Sequence, residues 1–210
     1  RKAAQGGIDL YFAGDSITRR WGTSDAQYKD FLLNWTTNFF GWNAGNFGWG
    51  GDKVRNVLWR LQNGELDGVH PKVMVLLAGT NDLGDGAATT DLAAREEDVV
   101  EGIGAILNLA REQAPGATII LMGITPREDR ADRSAMAAAI DRTNRRLAQL
   151  ADGRAIRFLS LNDRLTTPDG RLREGVTVDG LHLSLKGYQI WADALKPLLT
   201  ELLGPPAKTD

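Results

Sequence analysis

Short apolar runs alternate along the chain with longer stretches in which apolar residues recur every three or four positions. Ile8 to Ala13 reads as a strand ended by Gly14. Val73 to Leu77 and Thr118 to Met122 are continuous apolar runs, each followed by glycine, at Gly79 and Gly123. Ile156 to Leu159 is shorter, and Trp42 to Phe47 is a weaker strand. Runs apolar on both faces are what parallel strands covered on both sides require.

Between these runs lie helical faces. Val54, Val57, Leu58 and Leu61 form one, with Asp52 as the expected N-cap and Gly64 as the stop. Val99, Ile103, Ile106, Leu107 and Ala110 form a second, and Met136, Ile140, Thr143, Leu147 and Leu150 a third. Trp191, Leu195, Leu198 and Leu202 form the last, where Pro197 should kink or split the helix. The order predicts one α/β domain over residues 1–210: a three-layer α/β/α sandwich on a parallel five-stranded sheet. With the flavodoxin-like strand order 2-1-3-4-5, strands one and three adjoin at the switch point, where ligands bind beyond the carboxyl ends.

Composition narrows the chemistry. Forty-two per cent of residues are hydrophobic, 25% are charged, and the net charge is −2. That is ordinary globular composition, with no electrostatic reason to expect nucleic acid. No apolar run approaches a membrane span of about 18 residues. The absence of cysteine excludes disulfides, thiolate nucleophiles and Cys-ligated metals. The chain begins at Arg1, not Met, which leaves cytoplasmic and secreted or periplasmic locations open, the latter after N-terminal processing.

The carboxyl-edge segments carry the candidate chemistry: Gly14-Asp15-Ser16, Gly48 to Asp52, Gly79 to Asp82, Thr125 to Arg127, and Asp179 to His182. A serine hydrolase needs a nucleophile, a base and an acid that orients the base. His70 precedes the third strand, at the wrong edge, and reads as a surface loop residue. His182 lies at the right edge with Asp179 three residues upstream. Alone, this D-x-x-H pair is more often structural. Ser16 reads equally well as a helix cap. Ser134 and Ser184 read as N-caps, Ser24 sits in a polar loop, and Ser160 ends a strand without a partner motif.

Gly51 and the Ser16 amide can supply backbone oxyanion donors, and Asn81 a side-chain donor. Taken singly, Gly50-Gly51 is a tight turn and Asn81 an Asx-turn. The glycine-rich stretch 45–53 matches neither phosphate-binding glycine motif.

Four blocks in order, GDS at 14–16, Gly51 within GWGGD, GTND at 79–82 and DGLH at 179–182, resemble the SGNH (GDSL-type) hydrolases. Within that superfamily the stretch from Asn46 to Asp82 is similar to the platelet-activating-factor acetylhydrolase catalytic-subunit branch. The resemblance implies Ser16 as nucleophile, His182 as base and Asp179 as its orienting acid. Gly51, Asn81 and the Ser16 amide would form the oxyanion hole, with no metal and no cofactor. It also implies a serine esterase that takes short, preferentially acetyl, esters of a small molecule or carbohydrate. Ile17, Thr80 and Leu181 would flank the acyl group and Trp49 would meet the substrate. Most of the six tryptophans, Trp59 and Trp191 included, read as packing residues. Lysophospholipase or thioesterase action and a non-catalytic carbohydrate-binding domain are the rival readings. A homodimer, and the roles of Arg19 and Arg20, are left open.

Overall fold

The computed structural model describes residues 7–84 and 91–210. The span 1–210 expected of one domain therefore includes residues outside the described ones. The elements are β1 (Leu10–Gly14), α1 (Ser16–Gly22), α2 (Lys29–Phe39), β2 (Ala44–Gly48), α3 (Val54–Gln62), β3 (Val73–Leu77), α4 (Thr80–Leu83), α5 (Leu92–Gln113), β4 (Thr118–Met122), α6 (Arg133–Gln149), β5 (Ile156–Leu159), α7 (Asn162–Leu165) and α8 (Leu185–Leu203). The sheet order is β2-β1-β3-β4-β5, and all neighbouring strands run parallel. This is the predicted switch-point arrangement. Gly14 pairs with Gly48 on one side and Leu77 on the other, so the carboxyl ends of β2, β1 and β3 finish level.

Alternation along the strands divides the core in two. Tyr11, Ala13, Met74, Leu76, Ile119 and Leu121 face α3, α5 and α6, where Val57, Ile103 and Ile140 pack. Leu10, Phe12, Val73, Val75, Ile120 and Met122 face the other layer, built from α1, α2, α7 and α8. That second layer is aromatic. Trp21 is fully buried; its ring centroid lies 4.9 Å from those of Tyr188 and Trp191 and 5.0 Å from that of Phe39. The cluster ties α1, the helix that starts at Ser16, to α2 and α8.

Local expectations fail in four places, each for a tertiary reason. Asp52 does not cap α3. Its carboxylate holds the Arg60 guanidinium, with Oδ2 2.9 Å from Nε, while Lys53 occupies the N-cap position and its amide donates to Asn56 Oδ1 at 3.0 Å. The Val54 amide is satisfied from another element, by Asp82 Oδ2 at 3.0 Å. Ser134 is inside α6, whose N-cap is Asp132. Pro197 does not split α8, which runs unbroken through it. It sits exposed, as does Asp193, whose carbonyl loses its helical donor, so the missing hydrogen bond falls on the outer face of the helix. Trp59 is 61% exposed, on the outer face of α3, and is no packing residue. Trp191 is buried as expected, and Ser184 does cap α8, accepting from the Gly187 amide at 3.2 Å.

Among the described residues no helix is long and apolar enough to cross a membrane.

Because Trp21 is the hub of the aromatic layer, Trp21→Ala is expected to lower the unfolding free energy by about 3–5 kcal/mol, the usual cost of removing a large buried aromatic. Urea denaturation followed by circular dichroism measures this. A loss below about 1 kcal/mol would mean that the layer collapses around the cavity at little cost.

Candidate active site

The first loop begins with a steric requirement. A Cβ on Gly14 would lie 2.4 Å from the Leu77 carbonyl oxygen and 2.3 Å from Thr18 Oγ1. Only glycine lets α1 turn back this closely over the strand ends. Asp15, not Ser16, is the N-cap, its Oδ1 accepting from the Ile17 amide at 2.8 Å. The capping role is thus already filled, and the Ser16 hydroxyl is free for another partner. Asp15 is fully buried. Burial pushes its carboxyl up to about 7; the Ile17 amide opposes this, while the Asp52 and Asp82 charges add to it.

That partner is His182, whose Nε2 lies 3.0 Å from Ser16 Oγ. The other ring nitrogen, Nδ1, is 2.7 Å from Asp179 Oδ2. A carboxylate only accepts, so the proton sits on Nδ1 and Nε2 is left to accept from the serine. Asp179 Oδ1 also accepts from the Leu181 amide at 3.1 Å and the His182 amide at 2.8 Å. Gly180 makes this turn with φ +82°. Burial costs the Asp179 charge most, yet the His182 and Leu181 donors outweigh it and hold the carboxyl below its ordinary range. Burial likewise lowers the His182 pKa, the Asp179 contact opposes this, and the Arg20 charge lowers it further. Arg20 Nη1 stands 3.7 Å from Asp179 Oδ2.

The remaining predicted donors are brought in by main-chain ties. The Trp49 amide donates to the Gly14 carbonyl at 3.0 Å, placing the 48–52 turn beside the strand that leads to Ser16. Asn81 Nδ2 donates to the Asp52 carbonyl at 2.9 Å, so Asn81 stands against the residue that follows Gly51. Gly51 has φ +79°, and a Cβ there would meet no atom within 4 Å. The turn at Gly51 is therefore uncrowded on its Cβ side.

The flanking residues divide. Ile17 and Thr80 are buried and Leu181 is half-buried. Ile17 and Leu181 pack on the aromatic layer. Trp49 is 58% exposed and stacks on Arg19, whose guanidinium carbon is 4.5 Å from the ring centroid. Both line a cavity of about 380 Å³ with Thr23, Asn46 and Glu65. His70 is exposed in the loop before β3, at the opposite edge.

The roles of two neighbours are not written in local spacing. Arg20 reaches Asp179 across 159 positions of sequence, and its only sequence signal is its place on the helix that starts at Ser16. Asp52 reads locally as a cap but serves as the carbonyl that docks Asn81.

The GDSL-like lipase/acylhydrolase family profile matches residues 12–190. Platelet-activating factor acetylhydrolase IB subunit alpha1 of Bos taurus is 33% identical over 200 residues, covering 93% of this chain and 76% of that protein. Subunit alpha2 of Rattus norvegicus is 34% identical over 197 residues, covering 93% and 77%. A catalytic mutant of an acetylxylan esterase from Geobacillus stearothermophilus shares the fold, with a TM-score of 0.68 at 19% identity over 97% of this chain and 98% of that one.

The electrostatics give a measurable sign. His182 is expected to titrate below free imidazole in NMR, because burial and Arg20 both favour the neutral ring. Arg20→Gln removes a positive charge that opposes imidazolium, so the titration should move to higher pH. A shift to lower pH, or none, would show that Arg20 does not act on the ring.

Proposed function

Because this ester hydrolase belongs to the GDSL-like lipase/acylhydrolase family, we propose that it cleaves short-chain, preferentially acetyl, esters through a Ser16–His182–Asp179 relay. The observation that carries this reading is the unbroken chain of contacts, 3.0 Å from Ser16 Oγ to His182 Nε2 and 2.7 Å from Nδ1 to Asp179. Ser16 Oγ attacks the ester carbonyl while its proton passes to Nε2. Asp179 holds the tautomer and stabilises the imidazolium that forms. The carbonyl oxygen becomes an oxyanion facing the Ser16 and Gly51 amides and the Asn81 side chain. Nε2 then gives its proton to the departing alkoxide, leaving an acyl-serine. Water, deprotonated by the same nitrogen, releases the acid. The base must be neutral, so activity rises with pH on an acid limb placed below that of free imidazole.

The acyl preference rests on Ile17, Thr80 and Leu181. Ile17 and Thr80 adjoin Ser16 and Asn81 in the chain and are buried, and with the branched Leu181 beside His182 they are read as the walls of a short acyl site. For the alcohol, exposed Trp49 offers a face on which a sugar ring can stack, which favours a carbohydrate or other small polar ester. The reading assigns the activity to one domain over 1–210 and needs neither metal nor cofactor.

Two measurements test it. Ser16→Ala should abolish turnover of p-nitrophenyl acetate, by several orders of magnitude in kcat, without changing the thermal transition. In a p-nitrophenyl ester series, kcat/KM should fall at butyryl and steeply by octanoyl, since each clashing methylene costs about 1–3 kcal/mol in a rigid pocket. Leu181→Ala should restore butyryl hydrolysis. Near-native turnover by a folded Ser16→Ala, or octanoyl hydrolysed faster than acetyl, would contradict the proposal.

A further inference from the structure

The loop after β4 carries a buried arginine that the relay does not use. The Arg127 side chain is 1% exposed. A guanidinium so placed must spend its donors on protein partners. Its Nη1 donates to the Thr80 carbonyl at 2.7 Å and to Thr80 Oγ1 at 3.1 Å. Its Nε and Nη2 form a two-pronged pair with Asp129, both at 2.7 Å. Thr80 directly precedes Asn81. At the other end the Glu128 amide donates to the Gly180 carbonyl at 2.7 Å, inside the Asp179–His182 turn. A Cβ on Gly180 would lie 3.2 Å from the Asp129 amide nitrogen, so the two backbones are in close contact there. Arg127 is thus a rigid fork, with one prong on the segment that carries Asn81 and the others on the segment that backs His182.

We propose that Arg127 is a positioning residue that fixes the spacing between the Asn81 donor and the Asp179–His182 turn. The inference rests on Asn81 acting as an oxyanion donor. Arg127 touches no reacting atom; it acts through Thr80 and Asp129. A lysine keeps the charge but cannot reach both partners with a planar fork. The Asn81 amide then loses its fixed register with the serine and the base, and misplacement of about 1 Å can cost up to about a hundredfold in rate.

The test is a double-mutant cycle on p-nitrophenyl acetate hydrolysis, with thermal unfolding of each variant as control. Arg127→Lys and Arg127→Met should lower kcat about 10- to 100-fold with KM within about twofold. Asn81→Ala alone should lower kcat about 10²- to 10³-fold. In the Asn81→Ala background, Arg127→Lys should cost less than about threefold more, because the group it positions is already gone. Should Arg127→Met not fold, the lysine variant decides. An unchanged kcat in Arg127→Lys, or the same fold-loss with and without Asn81, would overturn the inference while leaving the oxyanion reading intact. An unchanged kcat in Asn81→Ala would instead overturn the oxyanion reading and this inference with it.

Discussion

The close approach of α1 to the ends of β1 and β3 is the constraint on which the site depends. Gly14 has no room for a Cβ against Leu77 and Thr18, and Gly48 has none against the Arg19 amide, 2.4 Å from where that Cβ would stand. These two glycines are paired across the β1–β2 ladder. With both, α1 lies directly on the strand ends, Asp15 caps it from below, and Ser16 emerges at the rim. With a side chain at either, the helix would have to lift, and the 3.0 Å contact to His182 would open. The far end of the helix is held by a different force, the burial of Trp21 among aromatic rings of α2 and α8. Since α8 follows the Asp179–His182 turn, the same cluster that seats the serine's helix also holds the helix that leads away from the histidine.

Charge on the rim shows a second layer of organisation. Asp15, Asp52 and Asp82 crowd the ends of β1–β3, and burial raises the pKa of all three. Each serves the backbone or an arginine: a cap on α1, a clamp on Arg60 and a cap on α3. Under the proposed mechanism an oxyanion beside such a cluster needs dedicated donors, and the Asn81 side-chain amide, held by the Asp52 carbonyl, is one such candidate. Asp179 differs. It is the acid whose hydrogen bonds win over burial, so it stays ionised to support His182.

Legibility from sequence followed the range of each interaction. Continuous apolar runs marked β3 and β4 to the residue, because parallel strands buried on both faces leave a pattern that needs no partner to be read. The Asp179–His182 pair was legible because a three-residue spacing fits a single turn. The N-cap of α3 was not, since its first amide is satisfied by Asp82, 28 residues away. The split expected at Pro197 does not occur, because tolerance of proline depends on which face of α8 meets water, and the packing role expected of Trp59 fails because a helical period does not say which face is outward. Arg20 and Arg127 were named in the sequence, but their work is done across 159 and 47 positions, by flexible side chains whose reach no local period encodes.

The most direct test of the Ser16–His182 relay is covalent capture. Treating the protein with diisopropyl fluorophosphate makes an activated serine attack phosphorus and expel fluoride, and intact-mass and peptide-mapping spectrometry then locate the adduct. The account predicts one phosphoryl group per chain, on Ser16, formed far more slowly when His182 is replaced by alanine. Stoichiometric labelling at Ser24, Ser134, Ser160 or Ser184, or labelling of Ser16 at an unchanged rate without His182, would contradict it.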